Sequence, residues 1–88
     1  MHDFVIRNAQ LYDGLGAPSR HGDLAVSGGR IAAIGAGVGA AREVVDARGL
    51  ALAPGIIDNH THYDAQVTWD PDLAASSALG VTTAIIGN

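Results

Sequence analysis

The sequence predicts an α/β chain in two parts. Residues 1–53 read as strands of a small β-sandwich domain, and residues 54–88 as one strand–helix–strand unit, the repeat of a β/α barrel. Three observations predict this. Short apolar and β-branched runs recur at close spacing through the first half, separated by Gly, Pro, Asn and Asp. Pro54-Gly55 then punctuates the chain ahead of Ile56-Ile57, a run apolar on both faces, as in a parallel strand covered by helices. Asp70-Pro71-Asp72 opens a helical stretch that Gly80 closes just before the β-branched run 81–86.

Taken in order, Phe4, Val5, Ile6, Leu11 and Tyr12 form two strand pieces broken near Asn8-Ala9 by a bulge. Asp13-Gly14 and Gly16-Ala17-Pro18-Ser19 make a loop with His21 at its far end. His2 and His21 are expected to be solvated. Asp23 to Ser27 is a strand, and Ser27-Gly28-Gly29-Arg30 is a tight hairpin turn, since glycine takes positive φ without penalty. A phosphate loop at Gly28-Gly29 is the weaker reading, because neither a helix start nor Lys-Ser/Thr follows. Ile31 to Ile34 is the return strand. Gly35 to Ala41 is a loop, Glu43 to Ala47 a strand, and Arg48-Gly49 a turn into Leu50-Ala51-Leu52-Ala53.

In the second part, Asp70 is expected to cap a helix, Pro71 to take its first position and Asp72 to favour the positive end of its dipole. The helix would run to Leu79 and end at Gly80. Val81 to Ile86 would be a second buried strand. Trp69 is expected to pack between helix and sheet.

Composition narrows the function classes. The chain has 88 residues, net charge −4, no cysteine and no lysine. Its five arginines are scattered, so no nucleic-acid footprint is expected. There is no disulfide framework, and no apolar run approaches the roughly 18 residues of a bilayer span. Neither a membrane partner nor a leader peptide is expected, and the default location is the cytoplasm. A chain this short buries only about 60–65% of its unfolded surface. A complete β/α barrel takes about 250 residues, so the expectation is an amino-terminal fragment of a larger protein.

The chemistry centres on Pro54-Gly55-Ile56-Ile57-Asp58-Asn59-His60-Thr61-His62. On a strand, alternate side chains share a face and stand roughly 6.6–6.8 Å apart. Asp58, His60 and His62 would then face one way, and two imidazoles could lean onto one cation at about 2.0–2.1 Å from each nitrogen. On a helix, residues two apart do not face each other. A buried parallel strand would deliver the pair to the sheet's C-terminal edge, where barrel enzymes place their chemistry. Asp58 reads either as an acceptor orienting an imidazole or as a strand-end cap. Tyr63 and Asp64 read either as loop anchors or as substrate contacts.

Gly55-x-x-Asp58-x-His60-x-His62 resembles the first-strand signature of the amidohydrolase superfamily. His62-Tyr63-Asp64-Ala65-Gln66, Trp69-Asp70-Pro71 and Gly80-Val81-Thr82-Thr83 are similar to its N-acyl-D-amino-acid deacylase (D-aminoacylase) branch. The resemblance implies a TIM-type barrel preceded by a minor β domain, and a zinc-dependent hydrolase holding one or two divalent ions. His60 and His62 match the first two metal ligands. A zinc-activated water would hydrolyse the amide of a small N-acyl amino acid, and the catalytic residues are expected beyond Asn88. In the branch a cysteine ligand commonly follows the Gly-Asn that Gly87-Asn88 matches. An aromatic residue and a histidine often precede Gly-Val-Thr-Thr in that branch, whereas this chain has Ala78-Leu79. Other superfamily members use a carboxylated lysine. Two further readings stand beside this one: a cyclic-amide hydrolase of the hydantoinase or dihydropyrimidinase type, and a non-catalytic β-rich module that self-associates through an unpaired strand edge.

Overall fold

The strand β1 (His2–Leu11) lies at the centre of the first unit. β2 (Arg20–Ser27) pairs with it antiparallel, and β3 (Arg30–Gly35) returns antiparallel on β2. On its other side β1 takes two parallel partners, β4 (Ala41–Asp46) along its first half and β5 (Ala51–Leu52) along its end. The computed structural model describes residues 1–63, 66–72 and 74–86. It forms two units, Met1–Pro54 and Gly55–Asn88.

The bulge read near Asn8-Ala9 is present, within one continuous strand rather than between two pieces. Ile6 pairs with Leu24 and Ala9 with Gly22, so β1 carries one extra residue. Asn8 absorbs it at φ 58°, a conformation its short polar side chain tolerates. Its backbone N–H donates to Asp23 Oδ1 at 3.0 Å, and its side-chain amide donates to Asp46 Oδ1 at 3.2 Å. Opposite the bulge, Arg48 (φ 53°) and Gly49 (φ 83°) interrupt the parallel edge, and Gly49 N–H closes onto Asn8 O at 2.7 Å. Thus β4 and β5 act as one edge strand, broken where β1 bulges. Asp46 also accepts the Arg48 N–H at 2.9 Å. That bond, followed by the Asn8 amide, holds the Asp46 carboxyl below its ordinary range.

His2 departs from the solvated role expected of it. Its ring is half-buried, with Nε2 donating to Val38 O at 2.8 Å and Nδ1 2.8 Å from Ser27 Oγ. It ties the 36–40 loop to the end of β2, because both of its nitrogens find partners once the strands pair. His21 is exposed, and it stands on β2 opposite Gln10 rather than in the loop.

The buried core of this unit is small: Val5, Ala9, Ala25 and Leu11. The described strands make one sheet. Ile31, Ile34, Val44 and Val45 on it remain 48–61% exposed, so a second sandwich layer is not among the described residues. A cleft of about 330 Å³ is lined by Leu11, Leu24, Ile31, Ile34, Leu52 and Pro54, among others.

In the second unit, β6 (Ile56–Asp58) and β7 (Val81–Ala84) pair parallel, with the short helix α1 (Ala74–Ser77) in the connection. This is the strand–helix–strand unit of the sequence reading. Gly80 ends the helical segment at φ 89°, as expected. Two details differ. The helix is shorter, because a 3₁₀ turn at Gln66–Thr68 takes up Asp70: its N–H donates to Gln66 O, and its carboxylate accepts from Gln66 Nε2. The expected burial of the strands is not seen either. Ile56 and Ile57 are 54% and 66% exposed, and Trp69 is 72% exposed. Two strands and one turn of helix offer too little surface to cover both faces of a parallel sheet.

Candidate metal centre

Asp58 ends β6, and the chain turns there. The sequence reading kept Asp58, His60 and His62 on one strand face, but the strand does not reach the histidines. The reason is local. Asp58 Oδ1 accepts the His60 backbone N–H at 3.1 Å, a side-chain-closed turn that withdraws this donor from the strand ladder. Of the two roles open to Asp58, the contact present is the strand-end cap.

The two imidazoles still come together just past the C-terminal edge of β6. Their ring centres are 5.2 Å apart and their planes are nearly perpendicular, at 84°. A tetrahedral cation about 2.05 Å from one nitrogen of each ring would lie about 3.2 Å from each ring centre, which puts the two centres about 5.2 Å apart. Both side chains are exposed. The observed ring separation equals that of such a pair. Among the described residues, no group of three His, Cys, Asp or Glu is placed to hold a metal ion.

The residues between and after the histidines anchor the turn. Thr61 is 5% exposed, and its Oγ1 donates to Ile85 O at 2.7 Å. The Tyr63 hydroxyl shares a hydrogen bond with Ser76 Oγ on α1, and Tyr63 O accepts the Val67 N–H at 3.0 Å. Tyr63 therefore makes an anchoring contact. Asp64, and the Gly87-Asn88 pair of the signature, lie outside the described residues. Thr61 escaped the sequence reading, although its position between two alternating polar side chains was the available signal.

The chain belongs to the amidohydrolase family, whose model matches residues 43–88. It is 52% identical over 87 residues to an N-acyl-D-aspartate deacylase of Alcaligenes xylosoxydans xylosoxydans, covering 98% of this chain and 18% of that one. Among solved structures it resembles an N-acyl-D-glutamate deacylase from Bordetella bronchiseptica, complexed with zinc and a phosphonate that mimics the tetrahedral intermediate. That match has a TM-score of 0.87 at 46% identity, over 99% of this chain and 19% of that one. It also resembles a D-aminoacylase with a binuclear metal centre, at a TM-score of 0.91 and 37% identity, over 100% of this chain and 19% of that one. Likeness to an L-hydantoinase from Arthrobacter aurescens is lower, at a TM-score of 0.78 and 27% identity, over 96% of this chain and 20% of that one. The chain spans about a fifth of the length of these relatives. No helix among the described residues is long and apolar enough to cross a membrane.

Proposed function

We propose that this chain forms the first metal-binding segment of a longer zinc-dependent hydrolase that cleaves the amide bond of N-acyl-D-amino acids. The observation that carries the reading is the meeting of His60 and His62, 5.2 Å between ring centres, just past the C-terminal edge of a parallel strand. His60 and His62 would hold the metal. When bound, a divalent ion supplies Lewis acidity toward the substrate carbonyl and lowers the pKa of water near it.

The residues of this chain contribute position. Asp58 caps the turn through the His60 N–H, which sets where the first imidazole leaves the strand. Tyr63 ties the far side of the turn to α1. The substrate is then a small molecule bearing a carbonyl, recognised by residues outside the described ones. The likeness to two acidic N-acyl-D-amino-acid deacylases favours this class over the cyclic amides.

The test uses a full-length protein carrying this chain. It is purified and assayed for zinc content and for release of D-aspartate, D-glutamate and D-methionine from their N-acetyl forms. His60→Ala with His62→Ala is expected to lose both zinc and turnover. Undiminished zinc in that double variant refutes the ligand assignment. Hydrolysis of dihydrouracil with none of the N-acyl-D-amino acids refutes the substrate class.

A further inference from the structure

Resting on that reading of the histidine pair, we infer that Thr61 is a positioning residue for the metal site, acting through its hydroxyl. The backbone ladder between β6 and β7 reaches as far as the Ile85 N–H, which donates to Asp58 O at 2.9 Å. Beyond this point the strand has ended and the His60 N–H is turned back onto Asp58 Oδ1. Thr61 carries the pairing one step further with a side chain. Its Oγ1 donates to the carbonyl of the same Ile85, so Ile85 is held at its N–H by Asp58 and at its C=O by Thr61.

This bond lies between the two imidazoles in sequence. Thr61 is 5% exposed, whereas His60 and His62 are both exposed. The turn bearing the pair is therefore pinned at its middle residue to a neighbouring strand end, 24 residues away in sequence. Removing the pin frees the turn to rotate about the Asp58 cap and spreads the rings from their 5.2 Å separation. A partner that orients metal ligands is worth about 10–100-fold in metal affinity when removed. The lower end applies here, because the bond is neutral and acts through the backbone.

The experiment is a zinc titration of a full-length protein carrying this chain, read as bound zinc at equilibrium. Thr61→Val keeps the side-chain shape and loses the donor. Thr61→Ser keeps the donor and loses a methyl group. Thr61→Val is expected to bind zinc about tenfold more weakly than the parent, and Thr61→Ser within about twofold of it. Parent-like affinity in Thr61→Val overturns the inference. Should the Thr61→Val protein fail to fold, Thr61→Ser decides: an equal tenfold loss there overturns it, and retained affinity supports it. His60→Ala with His62→Ala separates the two levels. Unchanged zinc binding in that variant removes the metal reading and this inference together. Lost binding there, with Thr61→Val unaffected, removes only the role of Thr61.

Discussion

Gly55 precedes the strand that leads to the histidines, and replacing it with alanine tests how that strand is seated. A Cβ on Gly55 would lie 2.7 Å from Thr82 Cβ and nearer still to Thr82 Oγ1 and Cγ2. Carbon atoms pack at about 3.5–4.0 Å. Rotating Thr82 moves its two outer atoms, but its Cβ is fixed by the backbone, and a β-branched side chain always has two heavy atoms to place. The overlap is relieved only by moving β6 away from β7. Overpacking of this kind costs about 1–3 kcal/mol, roughly a 5- to 150-fold loss in the equilibrium constant for closing the pair. The parallel pair spans only three registered positions, so few other contacts resist the change. Hydrogen exchange reads it directly. The Ile56 N–H bonds to Gly80 O and the Ile85 N–H to Asp58 O, one at each end of the pair, and both should lose protection by that factor in Gly55→Ala. Adding Thr82→Gly removes the opposing Cβ and should restore protection, less about 0.5–1 kcal/mol for a glycine in a strand. Unchanged exchange in Gly55→Ala, or no rescue by the second substitution, would refute the close-approach argument.

Three further outcomes are expected. Val5→Ala removes two methyl groups from a fully buried position; at about 0.8 kcal/mol each plus a cavity term, urea unfolding of this chain should show a loss of about 2 kcal/mol. Asp46 has a lowered pKa, chiefly through the Arg48 N–H and then the Asn8 amide. Its contribution to stability is therefore present above the ordinary carboxylate value and is lost as pH falls through the lowered one. An acid titration comparing the parent with Asp46→Asn should show that acid-range loss only in the parent. Finally, the 88-residue chain should bind zinc weakly and show no amidase activity, since catalytic zinc normally takes three protein ligands plus water. Calorimetry and an N-acetyl-D-amino-acid assay against the His60→Ala, His62→Ala control check this.

Much of the fold was legible because the signals are short-range. Gly28-Gly29 turns a hairpin, with both residues at positive φ (58° and 74°), and Gly80 ends the helical segment. A break at Asn8-Ala9 follows from the poor strand propensity of asparagine. Two β-branched runs around an Ala/Ser segment imply a strand–helix–strand unit whichever partner each strand finds. The His-x-His pair was legible for the same reason, because the spacing of two residues is a property of the chain itself.

Other features depend on which groups meet across the fold. That β4 and β5 join β1 parallel, and break where it bulges, depends on Asn8 finding Asp46 and Gly49 about forty residues away. That His2 is a clasp depends on Ser27 and Val38. That the strand stops before the histidines follows from Asp58 capturing a backbone N–H, a competition with the ladder that propensity does not decide. The sequence by itself determined the punctuation of the chain and the spacing of its His-x-His pair. Tertiary structure alone decided that the Thr61 hydroxyl meets Ile85 O, because a hydroxyl's partner depends on which carbonyl the fold brings to it.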